Sequence, residues 1–399
     1  MRRALELARQ GYGRTSPNPM VGAVLARKGD VIGEGWHRQA GEPHAELEAM
    51  KNARSKRKRV KGSTLYVTLE PCSTQGRTPA CTDAIIKAGI EKVVVAAIDP
   101  NPRHAGQGLD ILRKAGLEVQ SGLMQDEAAE LNEAFNHWIV HQRPFVTVKA
   151  AMTLDGKIAT TSGESKWITG AKARSHSMHL RRGADAILVG VNTVLRDDPS
   201  LTVRALGPEN EAEKTTSGPG LRRLILDTQA RTPTTAKVVS DDQASLTSIV
   251  VGHQAPENRV AALRKKVNVI RASLYEGRID LKWLLRMLGG ENVTHLLVEG
   301  GGEVNASFLL QGLSHRVAFF YAPRIVGGRV APKAVAGAGL NSLDRAIRLE
   351  QPEWRVLEPD LLLTAKVRSI VSQNRRKPRR RRSRKPPQAT SDIPATSNA

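Results

Sequence analysis

A chain of 399 residues is too long for one ordinary domain, and 40% apolar with only 4% aromatic residues suits two α/β domains built from Val, Ile, Leu and Ala. No uncharged apolar run approaches the roughly 20 residues of a membrane span, and "MRRALELARQGYG" has neither the apolar core nor the cleavage site of a signal peptide, so no membrane contact is expected. With two cysteines and no export signal, the expected home is the reducing cytoplasm, where a structural disulfide is disfavoured. The formal charge of +22 is concentrated: "RSKRKRVK" (Arg54 to Lys61) carries six positive charges and residues 374–385 carry nine.

In chain order, Arg2–Gln10 reads as a short helix and "VGAVLARKGDVIGEGWH" as a hairpin turning at Lys28-Gly29-Asp30. "HAELEAMKNA" has helical spacing, and "STLYVTLEP" is a β-branched, buried strand. "PACTDAIIKAG" opens on Pro and ends on Gly, the asymmetry of a helix. The strand "KVVVAAID", the helix "GQGLDILRKAG" and the strand "EVQSGLM" follow, and "DEAAELNEAFNHWIVH" reads as one long amphipathic helix. Strands joined by helical crossovers make this half α/β.

The pattern restarts after Arg143-Pro144, with Pro144 as the expected hinge. Strands "FVTVKAAMTLDG", "DAILVGV", "RRLILD", "SIVVG" and "THLLVEGG" alternate with helices such as "AKARSHSMHLRRGA", "ENRVAALRKK" and "DLKWLLRMLGG". "HRVAFFYAPRIVGG" and "DLLLTAKVRS" close the half. The expected organisation is a domain at 1–143, a second α/β domain at 144–370 and a disordered basic tail at 371–399, too poor in large apolar side chains to fold.

Cys72 and Cys81, eight residues of "STQGRTPA" apart, raise the question of a metal site. A catalytic zinc takes three protein ligands and leaves one position open for water. "EPHAELEAM" supplies His44, with Glu46 two positions on, both in the first turn of the helix opened by Pro43. Cys81 also begins a helix, where a thiol pKa is expected to fall. The order H-x-E … P-C … C is that of zinc nucleobase deaminases: His44, Cys72 and Cys81 would hold about one Zn²⁺ per chain, and Glu46 would shuttle protons from the activated water to the base and to departing ammonia.

The C-x₈-C spacing departs from the common C-x-x-C and resembles the riboflavin-pathway pyrimidine deaminases. "TSPNPMVGAV", "HAELEAM", "YVTLEPCSTQGRTPACTDAII" and "DPNPRHAGQG" carry the resemblance through the first half, and it extends to about residue 370. The chain is similar to the bifunctional enzymes that join such a deaminase to a pyrimidine reductase. That implies a cytidine-deaminase-like three-layer domain followed by a dihydrofolate-reductase-like domain, with Asn18 seating the base.

In the second half no G-x-G-x-x-G occurs, and the best phosphate cradle is the strand–glycine–helix turn "LLVEGGGEVNASFLL". "VKAAMTLDGKIA", "SGESKWITG", "HLRRGADAILVGVNTVLRDDPSLTVR" and "VEGGGEVNASFL" resemble the reductase family's recurring blocks. By that resemblance Ala151, Trp167, Thr193, Asp197, Thr228 and the turn Gly301, Gly302, Glu303, Val304, Asn305, Ala306, Ser307 would contact NADPH. Ser165, Arg181, Leu201, Arg204 and Glu299 would contact the substrate. Arginine suits its phosphate, because guanidinium offers bidentate geometry. Thr153, Asn192 and Glu303 depart from the family's usual residues, and Glu303 would set a negative charge in the pyrophosphate turn.

The resemblance implies deamination of a diamino-ribosylamino-pyrimidinone phosphate, then reduction of its ribosyl group to ribityl by hydride from NADPH to C1′. A homo-oligomer is expected. Two other readings stay open at this point: an RNA-directed nucleobase deaminase, suggested by the basic segments, and a deaminase whose second domain is not catalytic.

Overall fold

The computed structural model describes residues 1–74, 80–102, 104–204 and 220–368, so the basic tail lies outside the described residues. The chain begins with α1 (Arg2–Arg9), and β1 (Gly22–Arg27) and β2 (Asp30–Trp36) form the expected hairpin. Its turn residues Lys28 and Gly29 take φ of 53° and 90°. Next come α2 (Ala45–Ser55), β3 (Thr64–Leu69), α3 (Cys81–Lys87), β4 (Lys92–Ala97), α4 (Gln107–Lys114) and β5 (Glu118–Ser121). The sheet runs β2-β1-β3-β4-β5, with β3, β4 and β5 parallel.

Ala45, Ala49, Ile85 and Leu112, from the helices after β2, β3 and β4, bury one face of this sheet against Val67 and Val95. Leu5 of α1 covers the other with Ala96 and Ala128, which makes the domain three-layered. Small residues let α2 approach closely: a side chain on Gly33 or Gly35 would meet Ala49 backbone at 2.4 Å. That contact fixes the N-terminal end of α2, where His44 and Glu46 stand.

The expected long helix is two, α5 (Gln125–Leu131) and α6 (Glu133–His141). The break falls at Asn132, whose side chain accepts from Met20 N at 2.8 Å and donates to Met20 O at 2.9 Å. The amide satisfies a backbone segment 112 residues away, so it interrupts a helix that its own apolar spacing would continue.

The second half opens with β6 (Phe145–Thr153), α7 (Ala171–Arg182), β7 (Ala186–Gly190), α8 (Val191–Asp197) and β8 (Arg222–Leu226). It continues through α9 (Lys237–Ser240), β9 (Thr247–Gly252), α10 (Glu257–Arg264), β10 (Asn268–Ala272), β11 (Leu274–Tyr275) and β12 (Arg278–Ile279). It ends with α11 (Leu281–Gly290), β13 (His295–Val298), α12 (Gly302–Leu310), β14 (Arg316–Ala322), β15 (Leu349–Leu357) and β16 (Asp360–Val367). The nine-stranded sheet has the order β10-β9-β8-β7-β13-β6-β14-β16-β15. It is parallel from β10 to β14, and antiparallel where β16 and β15 extend it. Parallel strands buried on both faces read as continuous Val/Ile/Leu runs, and β7 and β9 are buried along nearly all their length.

The two halves pack tightly. Trp138 Nε1 donates to Gly289 O at 2.9 Å, Tyr12 stacks on His179 with ring centroids 4.5 Å apart, and Arg316 pairs with Glu133 at 2.8 Å. The expected hinge at Pro144 therefore carries contacts on both sides, and Phe145 N bonds to Thr294 O. A cleft of about 1240 Å³ remains between the halves, lined in part by Asn18 and Arg181 but not by the cysteines. Among the described residues, no helix is long and apolar enough to cross a membrane.

Candidate active sites

His44 caps α2 in an extended conformation, φ −72° and ψ 163°, which turns its ring out of the helix. Cys72 follows β3, and Cys81 begins α3. The ligand atoms of His44, Cys72 and Cys81 lie within 4.8 Å of one another, with His44 Nδ1 3.2 Å from Cys81 Sγ and 3.5 Å from Cys72 Sγ. A tetrahedral zinc with bonds of about 2.0–2.3 Å needs donor atoms about 3.5 Å apart, so the set fits that ion.

Glu46 stands beside them, 3% exposed, and its Oε2 has no hydrogen-bond partner. An orphaned buried carboxylate oxygen is costly unless a ligand satisfies it. Burial raises the Glu46 pKa, the nearby His44 opposing it, so this carboxyl holds a proton more readily than an exposed glutamate.

The two thiols divide a proton. A hydrogen bond from Cys81 holds the Cys72 thiol down to about 4 and pushes Cys81 up. The lowered thiol expected of Cys81 at the start of α3 is not found there, because its hydrogen bond to Cys72 and its burial raise it; the lowered thiol is Cys72, whose Sγ also accepts from Cys81 N at 3.3 Å. Its hydrogen bond to His44 in turn raises that imidazole against its burial. Pro79, part of the motif, lies outside the described residues.

Sequence reasoning passed over two residues here. His37 is 2% exposed and lies 3.1 Å (Nε2) from Asn18 Nδ2, its ring 5.3 Å from that of His44, so it lies between Asn18 and the candidate metal site. Glu70, within "EPC", accepts from Asp99 N, Gly106 N and Gly108 N at 3.1, 2.9 and 2.8 Å. It anchors the loop behind Cys72 rather than doing chemistry, and only its place beside the cysteine marked it.

In the second half the expected residues fall into two groups at the carboxyl ends of the strands. Glu299, after β13, receives Arg181 Nε at 2.8 Å and Nη2 at 2.9 Å, while Arg181 Nη1 reaches Thr202 O. Lys149 of β6 adds a second cation 3.5 Å away. Burial alone would raise Glu299, but Arg181 and Lys149 outweigh it and hold the carboxyl down to about 2. The sequence signal for Lys149 was a lone cation inside the apolar strand "FVTVKAAM". Leu201 is buried with φ 53°, and Arg204 is exposed.

Around the glycine turn, Thr193 Oγ1, at 4.0 Å, is the only atom among the described residues, chain neighbours aside, within 4 Å of where a Gly301 side chain would stand, so the start of α12 is open. That opening suits a phosphate close to the backbone. Asp197 accepts from Ser165 Oγ at 2.7 Å, and Ala151 is half-buried beneath α7. Thr228 closes β8 and accepts from Gly252 N. Trp167, which could equally have been a core residue, is 63% exposed, with the Arg174 guanidinium 4.8 Å over its ring.

Within α12, Asn305 and Ala306 are buried, Asn305 donating to Ala334 O at 2.8 Å. Val304 packs against Gly300, and Ser307 bonds back to Glu303 O. The Glu303 carboxylate is taken up by Gly337 N at 3.1 Å and Arg278 Nη1 at 3.3 Å. Its charge is thus already neutralised by partners of its own.

A three-layer domain with a His/Cys/Cys set and a buried glutamate, followed by a mostly parallel α/β domain with an open glycine turn, defines a zinc-binding deaminase fused to a second, reductase-type domain. Residues 1–97 match the cytidine and deoxycytidylate deaminase zinc-binding region, and residues 144–363 match the RibD C-terminal domain. The chain belongs to the family of the riboflavin biosynthesis protein RibD. It is 43% identical to that protein from Aquifex aeolicus over 91% of this chain and 96% of the relative, and 37% identical to that of Escherichia coli over 91% and 97%. Among solved structures, Acinetobacter baumannii RibD is similar with a TM-score of 0.80, at 35% identity over 92% of this chain and 98% of the other. The Thermotoga maritima diaminohydroxyphosphoribosylaminopyrimidine deaminase/5-amino-6-(5-phosphoribosylamino)uracil reductase gives a TM-score of 0.77, at 34% identity over 92% and 97%.

Proposed function

We propose that this chain carries out two consecutive steps of flavin synthesis. The first is hydrolytic deamination of 2,5-diamino-6-(5-phosphoribosylamino)pyrimidin-4(3H)-one. The second is NADPH reduction of the product's ribosyl group to ribityl. The observation that carries the reading is Glu46: a buried carboxylate with an unpartnered oxygen beside three atoms placed for zinc.

Zinc, when bound by His44, Cys72 and Cys81, supplies the Lewis acidity that makes water nucleophilic at neutral pH. Glu46 takes a proton from the attacking water and gives it to the ring nitrogen, then takes the second proton from the hydroxyl added at the ring carbon and gives it to the amino group, which leaves as ammonia. Asn18, held by His37, orients the base.

In the second domain NADPH supplies hydride to C1′. Gly301 and Thr193 hold the cofactor phosphates close to the backbone, and the exposed face of Trp167 adds contact area. Arg181, Lys149 and Glu299 set a charged, largely buried rim on which the phosphorylated substrate is positioned.

We place the domain boundary at 143/144, the residence in the cytoplasm, and the working form as a homo-oligomer. The edge strand β15, exposed at all but its last residue and with Trp354 61% and Val356 69% exposed, is the surface that supports the last of these.

No observation favours RNA as substrate. The basic run Arg54–Lys61 leaves the far end of α2 from His44, and at about 1.5 Å per residue the 11-residue helix separates them by roughly 16 Å. A second domain without catalysis finds no support either, because Glu303 is engaged away from the open glycine turn.

The test supplies the diamino substrate and follows ammonia release and NADPH absorbance in the same sample. Ammonia release followed by stoichiometric NADPH oxidation is expected. Ammonia without oxidation would remove the second activity from the proposal.

A further inference from the structure

The basic run Arg54–Lys61 takes no part in either active site, and it stands at the opposite end of the first domain from the cysteines. Ala26 of β1 pairs with Thr64, Thr64 with Lys92, and Lys92 with Glu118. The β1–β2 turn and the loops entering β3, β4 and β5 therefore share one end of the sheet. Cys72 and Cys81 come after β3, at the other end. The six residues of β3, at about 3.3 Å each, set the two ends roughly 20 Å apart.

The run is held in a fixed shape. Arg57 takes φ 56° with its N–H on Arg54 O, Lys58 N bonds to Ala53 O at 2.9 Å, and Gly62 N bonds to Gly89 O at 2.8 Å. Val60, its one apolar residue, is 7% exposed and belongs to the core with Ile90. That anchor leaves Arg54, Lys56, Arg57, Lys58, Arg59 and Lys61 outward, and all six are exposed.

Their charge has no counterpart in the fold. The ion pairs around them are Lys51–Glu48, Lys92–Glu118 and Arg113–Asp110, and among the described residues none of the six takes part in one. Glu34 is bound by Arg3 at 2.7 Å, which holds its carboxyl down more than Lys56 does. Lys28 of the hairpin turn, Lys87 closing α3 and Lys114 closing α4 add three exposed cations at the same end, against the carboxylates of Asp30 and Glu91. A cation in the last turn of α2 serves the helix dipole, and Arg54 is that cation, but four of the six lie beyond the helix and its cap Lys56. Like charges this close repel, and a chain of net charge +22 does not need them crowded for solubility.

The run exposes no apolar or aromatic side chain. It therefore lacks the wedge that a membrane-bound helix inserts, the apolar centre of a protein interface, and the ring on which an unpaired base stacks. Its partner must offer dense negative charge alone. The backbone of a double helix does so, with one charge per about 1.7 Å of axis, and the guanidinium of Arg54, Arg57 and Arg59 matches phosphate geometry. We infer that Arg54–Lys61 is a docking surface for double-stranded nucleic acid, gripping its phosphates without reading bases and leaving the zinc site free.

Fluorescence anisotropy with a labelled duplex of about 20 base pairs tests this on the full-length chain. RNA and DNA duplexes should bind alike at about 0.1 M salt, with Kd of about 10⁻⁵–10⁻⁶ M whatever their sequence. The triple variant Arg57→Gln/Lys58→Gln/Arg59→Gln loses three phosphate contacts. The slope of log K against log salt should flatten by nearly 3, about 0.9 for each, and affinity should fall about 100-fold. The control Arg259→Gln/Lys282→Gln/Arg286→Gln removes three exposed charges from the second domain and should stay within about threefold of wild type. Residues 374–385, with nine positive charges of their own, are kept in every protein. An unchanged urea midpoint verifies the fold of the triple variant. Should that shift, Lys58→Gln alone carries the same test with a slope change of nearly 1. A triple variant that binds like wild type, or that weakens no more than the control, would overturn the assignment. So would binding to phosphatidylglycerol vesicles but not to the duplex, which would place an anionic membrane on this face instead.

Discussion

Trp138 Nε1 donates to Gly289 O at 2.9 Å across 151 positions, joining the last helix of the first domain to the end of α11 in the second. The same glycine touches the chain again, since a Cβ there would stand 2.1 Å from Gln142 O. The junction is therefore specified at backbone level. Gly289→Ala must push α6 and α11 apart and should destabilise the protein by about 2–3 kcal/mol, whereas Trp138→Phe loses one hydrogen bond and about 1 kcal/mol. Urea unfolding followed by circular dichroism checks the order, and equal losses in the two variants would count against it.

At the zinc site, metal retention and catalysis should separate. Cys81→Ser removes a ligand, so metal analysis should find well under one zinc per chain and no deamination. Glu46→Gln keeps all three ligands but loses the proton carrier, so zinc stays bound while ammonia release falls about 10²- to 10⁴-fold. NADPH oxidation with the deaminated intermediate should be unchanged in both variants. A Glu46→Gln enzyme that retained full deamination would remove the proton-shuttle role.

Glu70 predicts an effect on the metal site without contact to the metal. Its carboxylate satisfies three backbone amides of the 99–108 loop, and a side chain on Gly108 would strike Pro71 O at 2.3 Å. Removing it in Glu70→Ala leaves three backbone donors unpaired, that of Gly108 buried and those of Asp99 and Gly106 partly so, and loosens the segment carrying Cys72, at a cost of about 3 kcal/mol. Faster zinc loss to a chelator than from wild type is the expected readout. An unchanged release rate would show that the loop does not support the ligand.

What the sequence made legible follows from locality. His44, Glu46, Cys72 and Cys81 were readable because a metal demands particular residue types in a particular order, whatever the packing around them. Most strands were readable because burial on both faces leaves continuous apolar runs. β15 was not, because all but one of its residues are exposed and no alternation marks it. The break at Asn132 was hidden because its partner, Met20, is 112 positions away. Lys149 and Glu299 could not be joined from sequence for the same reason. Their pairing exists only once β13 is inserted between β6 and β7.

The junction also contains a histidine cluster whose titration has a definite sign. His137 and His141 of α6 and His315 before β14 form it, with His137 and His315 centroids 4.0 Å apart. Phe145 and His295 pack beside them, and Arg143 and Arg316 add positive charge nearby. Burial and these like-charged neighbours hold His137 down to about 4 and His315 down to about 3. His315 is neutral by geometry as well, since its Nδ1 accepts from Val146 N at 2.9 Å. In the unfolded chain both imidazoles titrate near the ordinary value of about 6.5. The unfolded state therefore binds more protons below that pH, and the stability the neutral rings contribute is fully present above about 6.5 and lost as pH falls toward 4 and then 3. His315 alone accounts for about 2 kcal/mol between pH 6.5 and 4.5. Urea unfolding across that range should show His137→Phe losing stability less steeply than wild type, by close to one proton's worth, or about 1.4 kcal/mol per pH unit at most. Parallel curves for the two proteins would mean that His137 is protonated in the folded state and that burial at this junction does not suppress its charge.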